Sequence, residues 1–421
     1  MYINKFYLLL LFTFSVSCTQ PANDSQKSTP DSETNNKKKA VSRLIFTEAS
    51  NFYGERPGYL KNHQEFEKLI KNDWENDFAF PQYRMNLSIL ARHLQSFQGE
   101  AVSSGSLMKF SPKVGLFNPW VIQSYFAANG YGEKDFAIWA RKVLGKHMET
   151  HKINSYGFTR FKGKNGEDIL ILLMQRRRIT LNPFPKWIEL SQPLIFIGQV
   201  QEDLSDLKAL VTLPDGKVVQ TGVALRKDKK FKFSVRICEK NKDKGNYHFE
   251  FMAQDKHGPA VLAMFNIACG KENWQKPKPL QVWEKPQKIN TDKFVEQVIS
   301  RINKYRKTLG YKDLKLHNKL NTASANHSQD MCKLDKLMHI SPNSGSPDKR
   351  VEKLGLKPQL LAENVAVGSS PKEIVNGWIT SEGHRLNLQL QDITHAGIGV
   401  CRKELEGGSI IYYATLLLAK L

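Results

Sequence analysis

Eleven histidines and five cysteines are the residues of this 421-residue chain with the widest chemical repertoire. One histidine has a telling setting: His384 lies in GWITSEGHRLNL, between a glycine and an arginine, just past a helix-like run. Its imidazole can ligate a metal, carry a proton or fill a polar niche in a core, and a lone histidine selects none of these. The cysteines are Cys18, Cys238, Cys269, Cys332 and Cys401. Whether they serve as thiols or bridges depends on the compartment in which the chain folds.

The N-terminus, MYINKFYLLLLFTFSVSC, names that compartment. One lysine precedes an apolar run from Phe6 to Phe14, too short to span a bilayer as a helix and of the size of a signal-peptide core. SVSC resembles a relaxed bacterial lipobox, in which the cysteine, here Cys18, receives lipid and becomes the mature N-terminus; Ser15 departs from the usual leucine. Residues 1–18 read as a lipoprotein signal peptide, with ordinary cleavage nearby and loss of Cys18 as the alternative. Residues 19–39 are polar and without aromatics, the composition of a disordered tether. Thr19 is no aspartate-type retention signal, so the expected location is the cell envelope as a lipoprotein, the outer membrane in a double-membrane bacterium, or the secreted medium.

Export places the remaining four cysteines in an oxidising compartment, where an even number is expected to pair. Chain order favours Cys238 with Cys269 and Cys332 with Cys401, each bridge inside one domain. The net charge of +21 divides into +6 over residues 291–421 and +15 before them, so it follows length and marks no specific nucleic-acid face. Diffuse positive charge instead draws the body to an anionic membrane or envelope surface, the second signal that a single lipid chain needs for stable anchoring.

Three folded regions follow the tether. Residues 40–178 hold helical patterns, MNLSILARHL and DFAIWARKVL, and end in the strand-like EDILILLMQ, a helical or α+β domain without a motif that carries chemistry. Residues 179–270 switch to short apolar runs at regular spacing, among them LIFIGQV, FKFSVRI and YHFEFMAQ, separated by turn signals such as LPDGK. That spacing predicts a small β-sandwich, similar to the immunoglobulin-like modules of bacterial surface proteins. Residues 271–290, rich in proline and lysine, read as an extended linker. In residues 291–421, Phe294, Val298 and Ile302 mark one helix face, and Leu320, Ala323, His327 and Met331 mark a second. Ser370-Pro371-Lys372-Glu373 is a capping box that opens a third helix, and HAGIGVC and SIIYYATLLLA close the chain as a hairpin. Helices and a hairpin with apolar faces to cover predict a layered α+β domain.

Eight pieces of this last region stand in the order found in the CAP superfamily of cysteine-rich secretory, antigen 5 and pathogenesis-related proteins. They are INKYRKTLG, LNTASANHSQDM, LMHISPNSG, Arg350, Gly355, AENVAVG, GWITSEGHRLNL and HAGIGV. The region resembles the short bacterial branch over residues 291–421. The resemblance implies an α-β-α sandwich whose cleft is lined by two histidines and two acids, where some members hold a divalent metal. Carried over by motif, the histidines are His339 and His384 and the first acid is Glu363, with Asn364 supporting it. No fourth member is assigned, because Glu373 is used by the helix cap and Glu382 stands where bacterial relatives often have proline. Two imidazoles and a carboxylate are the donor types of an open zinc site, with His339 and His384 as the candidate ligands; without a fourth ligand they equally make a hydrogen-bonded cluster. His327 reads as structural and His395 is unassigned, while Ser341, Ser369 and Ser381 stand in no nucleophile pattern. Further, RMNLSILARHL can be laid over HNKLNTASANH, and SYGFTRFKGKNGEDILILLM over HAGIGVCRKELEGGSIIYYATLL, so residues 40–178 read either as a degenerate CAP-like repeat or as chance similarity.

The expected function is that of an exported, lipid-anchored CAP-domain protein that binds small apolar ligands, lipids, or envelope or protein partners in a cleft lined by His339, Glu363 and His384, with no catalytic residue assigned. One alternative is a metal-dependent hydrolase of peptides or envelope polymers. Another is a surface adhesin or spacer working through the β-sandwich.

Overall fold

The computed structural model describes residues 7–9, 15–17, 51–54, 58–72, 74–98, 102, 104–118, 120–189, 193–201, 203–239, 244–274, 289–404 and 410–421. Cys18, the tether and most of the Pro/Lys-rich linker lie outside the described residues. Lys271–Asn273, at the start of that linker, forms a 3-10 turn.

The N-terminal unit comprises α1 (His63–Lys71), β1 (Gln82–Tyr83), α2 (Met85–His93), α3 (Ser104–Phe110), β2 (Ile122–Ala128), α4 (Glu133–His151) and the hairpin β3 (Ser155–Lys162) and β4 (Asp168–Gln175). Its sheet runs β2-β4-β3-β1, antiparallel except for β1 alongside β3. The unbroken apolar run of β4 follows from burial on both faces. Leu170, Leu172 and Met174 pack with Phe136 and Leu144 of α4, and Ile169, Ile171 and Leu173 pack with Leu87 and Leu90 of α2.

Among the described residues, and apart from Phe184–Pro185, which pairs separately, eight strands follow: β5 (Ile179–Leu181), β6 (Trp187–Ile188), β7 (Pro193–Val200), β8 (Ser205–Thr212), β9 (Val218–Gly222), β10 (Lys230–Arg236), β11 (Gly245–Asp255) and β12 (Gly258–Cys269). They make two sheets, β6-β12-β11-β8-β9 and β10-β7-β5. On β7, Leu194 and Phe196 point inward while Ile195 and Ile197 face out, the period-2 pattern of a half-buried strand. Phe196 meets Phe249, Phe251 and Phe265 of the facing sheet at ring-centroid distances of 5.5, 5.5 and 5.6 Å. Cys238 and Cys269 are bridged, with Cα atoms 5.4 Å apart. Tyr53, expected in the first domain, belongs to this core instead: Phe52–Tyr53 pairs with Phe184–Pro185, and the Tyr53 ring stacks on Phe184.

The C-terminal unit contains α5 (Thr291–Thr308), β13 (Lys315–Leu316), α6 (Asn318–Leu334), α7 (Pro347–Glu352), β14 (Leu360–Gly368), α8 (Pro371–Thr380), α9 (Glu382–Leu388), β15 (His395–Glu404) and β16 (Ile410–Lys420). Asn290 caps α5 through the N–H of Asp292, and Ser370 caps α8 through that of Glu373. The sheet β14-β16-β15-β13 sits between helical layers. Leu417 and Ala419 face Leu320 and Ala323 of α6, while Leu416 and Leu418 join the core formed with Phe294, Val298 and Trp378 of α5 and α8. The docking of α6 explains two glycines of HAGIGV. A Cβ on Gly397 would come within 2.2 Å of the Leu320 backbone, and one on Gly399 within 2.1 Å of the Ser324–Ala325 backbone. The hydroxyls of Ser324 and Ser328 donate to the carbonyls of those same glycines, each at 3.0 Å. Cys332 and Cys401 bridge α6 to β15, with Cα atoms 6.0 Å apart.

Strand order and direction are the same in the first and last sheets. The match extends to register: Arg84 N–H donates to the Tyr156 carbonyl where His317 N–H donates to that of Ala396. Ser88 Oγ accepts from Phe158 N–H where Asn321 Oδ1 accepts from Ile398 N–H. Two short segments complete the outer edges in parallel, Tyr7–Leu9 on Glu363–Val365 and Ser15–Ser17 on Gln123–Tyr125.

Candidate functional site

Glu363 lies in the middle of β14 and is fully buried. Its oxygens are taken by two partners: Nδ1 of His339 lies 2.8 Å from Oε1, and Nη2 of Arg350, on α7, donates to Oε2. Burial alone would raise its pKa, but the Arg350 charge and the His339 hydrogen bond hold the carboxyl down at about 2. Arg350 also fixes the loop that carries His339, donating through Nη1 to the carbonyls of His339 and Gly345. His327 sits beside the pair and bonds the Met338 carbonyl through Nε2 at 2.7 Å; burial pushes its pKa down to about 4, so the ring is neutral.

His384 is brought to the same end of the sheet by its backbone. Asn364 Nδ2 donates to the His384 carbonyl at 3.1 Å, and Asn387 Nδ2 donates to the Glu363 carbonyl and to Asn364 Oδ1. Asn364 therefore clamps α9 to β14, and Asn387, the asparagine of GWITSEGHRLNL to which the sequence assigns no role, completes the clamp. Arg306 secures the other end of α9, its Nη1 donating to the carbonyls of Leu388 and Leu390. Arg350 and Arg306 stand in motif segments, yet no spacing in the sequence pairs either with its acceptors.

The β-sandwich covers this site, which the sequence did not foretell. The His257 carbonyl, in the turn between β11 and β12, accepts the N–H groups of His339 and Ile340, and Gly258 packs against the His339 side chain, leaving 3.1 Å for a Cβ. A second contact lies at α9. Glu382 N–H donates to Glu250 Oε1 at 3.0 Å, Arg385 reaches both Glu382 and Thr212, and His248 Nε2 stands 3.8 Å from Glu250 and 4.0 Å from Glu382. Burial raises the pKa of Glu382. For His248 burial works downward, but the hydrogen bond and charge of Glu250, aided by Glu382, raise it on balance. His339, Glu363 and His384 are all enclosed as a result.

The fit to a divalent metal follows from the donor set. Both oxygens of Glu363 are engaged, one by a cation, and among the described residues no group of three His, Cys, Asp or Glu side chains is arranged to hold a metal ion. As the side chains stand, Glu363 has neither oxygen free to join His339 and His384 as a metal ligand. The remaining candidates are structural in their contacts. Ser341 Oγ donates to Asp330, Ser369 to Glu373, and His395 bonds Thr394.

Residues 299–416 match the profile of the cysteine-rich secretory protein family, CAP. They form a CAP domain. The CAP domain is 34% identical over 118 residues to the uncharacterized protein YkwD of Bacillus subtilis (strain 168), a match covering 28% of this chain and 44% of that one. It is also 34% identical over 129 residues to the uncharacterized membrane protein YlbC of the same strain, covering 30% and 37% of the two chains. The chain thus spans less than half the length of these curated relatives. Among solved structures, an outer surface protein from Borrelia burgdorferi matches at 23% identity and a TM-score of 0.28, over 31% of this chain and 96% of that one. An extracellular SCP-domain protein from Bacillus anthracis str. Ames matches at 17% and 0.29, over 54% and 82%. Among the described residues no helix is long and apolar enough to cross a membrane.

Proposed function

We propose that this is an exported, lipid-anchored CAP-domain protein of the cell envelope that works by binding an apolar ligand or partner rather than by breaking bonds. The observation that carries the reading is a groove of about 860 Å³ between the CAP domain and the sandwich, within the range of small-ligand sites. Leu210 and Met252 of the sandwich and Leu360, Leu361, Leu386 and Leu390 of the CAP domain give it apolar walls, with Asp206, Lys208, Asp348 and Glu352 also lining it, beside the Leu360–Ala362 end of β14. His339, Glu363 and His384 then hold the groove's inner wall in place, Glu363 being neutralised by Arg350 and so poorly suited to act as a base. The two-sheet unit serves as an immunoglobulin-like platform that supplies the opposite wall. The N-terminal unit reads as a degenerate CAP-like repeat, supported by the shared strand order and register. Lipid on Cys18 and the basic body would hold the molecule at an anionic surface.

Titration with a fluorescent fatty acid tests the reading. Wild-type protein is expected to saturate with one probe per chain, and Leu386→Glu, at a position 37% exposed, to weaken uptake about tenfold. Absence of saturable uptake by the wild type would remove the proposal.

A further inference from the structure

The groove has one wall that an apolar small molecule would leave unsatisfied. β14 is bonded to β16 along one edge, and its other edge is a row of backbone donors and acceptors. Over Glu363–Val365 that edge is matched by Tyr7–Leu9, running parallel and lying against β12 and α9. Over Leu360–Ala362, which line the groove, no strand among the described residues pairs with it. The groove runs beside this stretch of the edge, with the sandwich on one side and α9 on the other.

We infer that the groove takes an extended polypeptide, added parallel to β14 along Leu360–Val365, once the leader segment that occupies part of this edge has been removed. This rests on the binding reading above and names its ligand class. Three observations favour a polypeptide over a lipid. Hydrocarbon offers no partner for the edge N–H and C=O groups of Leu360–Ala362, whereas a peptide backbone does. Residues of an added strand alternate in direction, which suits a slot with apolar groups on two opposite walls: Leu210 and Met252 on the sandwich, Leu386 and Leu390 on the CAP domain. A three-residue stretch of this chain already shows the pairing geometry on the neighbouring positions. The expected ligand has apolar residues at alternate positions over about five or six residues, the length of an ordinary strand.

The test uses fluorescence anisotropy with a labelled peptide of residues Ile3–Leu9 followed by two lysines for solubility, and two forms of the protein: the full chain and the form beginning at Cys18. Thermal unfolding of both forms establishes that each is folded. The Cys18 form is expected to bind saturably. Leu386→Glu, peptide N-methylation at alternate amides in the register facing β14, and use of the full chain, whose own segment holds the edge, should each weaken binding about tenfold or more. Equal binding by the full chain and the Cys18 form overturns the inference, as does equal binding by peptides N-methylated in either register. Either result, with fatty-acid uptake intact, leaves the apolar-groove reading standing. Loss of both peptide and fatty-acid binding would sink the two together.

Discussion

Removing Arg350 should destabilise β14 far more than removing the acid it serves. In Arg350→Met the Glu363 carboxylate stays buried with the His339 ring as its remaining hydrogen-bond partner, and breaking a buried pair from one side costs about 3–5 kcal/mol. The depressed pKa gives a similar figure. A carboxyl moved from 4.5 to about 2 gains roughly 3 kcal/mol from its surroundings at neutral pH, at about 1.4 kcal/mol per unit. Because the folded value is the lower one, this stability is present above the ordinary carboxylate range and is lost as pH falls from about 4.5 towards 2. Hydrogen exchange by mass spectrometry reads the effect where it arises, without assuming that this multi-core chain unfolds in one step. At pH 7 the β14 amides of Arg350→Met should exchange about a hundredfold faster than wild type, since roughly 3 kcal/mol is two decades. Glu363→Gln should cost less, and the double variant Arg350→Met/Glu363→Gln should recover much of the loss, because no charge is then left unpaired. A single Arg350→Met that alters β14 exchange less than about fivefold, or a double variant as damaged as the single, would refute the electrostatic account of the site.

The contact between sandwich and CAP domain should depend on pH. The groups facing one another there are His248, Glu250, Glu382 and Arg385, with Asn266 and Thr212 as neutral partners. Raised pKa values for both His248 and Glu382 mean that the contact is strongest at low pH and weakens as pH climbs through those values. Protection of the His339 and Ile340 amides, corrected for intrinsic exchange, is expected to fall across that rise and to fall less in Glu382→Gln; a flat wild-type profile would count against it. For the anchor, Cys18→Ser should release the protein from membranes on cell fractionation, and retention in the membrane pellet would show the lipobox reading to be wrong.

Much of the CAP domain could be read from the chain because its motifs encode local contacts. Ser324, Ser328, Gly397 and Gly399 exist to let a helix lie on a strand, and Ser370 caps α8 as its sequence pattern requires. The buried strand β16 announced itself by an apolar run with no alternation. Overlaying RMNLSILARHL on HNKLNTASANH also placed Ser88 opposite Asn321, the pairing of residues that the two units use in equivalent hydrogen bonds. The cover over the site was not legible, since it depends on backbone carbonyls and glycines of another sheet. A carbonyl such as that of His257 carries no residue signature, and Gly258 looks like any hairpin glycine until His339 is seen against it. Glu382 stood out in the sequence only as an acid where a proline was expected; its partners His248 and Glu250 lie more than a hundred residues earlier.

The two matching sheets show what the site costs to build. Glu363 faces Leu417, which faces Gly397; Gln123 faces Leu173, which faces Gly157, so Gln123 is the positional counterpart of the central acid. Gln123 is buried as well, and its Oε1 accepts the N–H of Val102 at 3.1 Å. A neutral amide there needs no buried cation, and the N-terminal unit keeps its fold with a hydrogen-bonded amide where the CAP domain uses an arginine, a histidine and two loop carbonyls. Burying a carboxylate at 363 is harder than burying an amide, and stability alone gives no reason to prefer it. The acid, its arginine and the histidine loop they position are therefore features that the sheet order does not require, since the N-terminal sheet keeps the same order with Gln123 at the equivalent position.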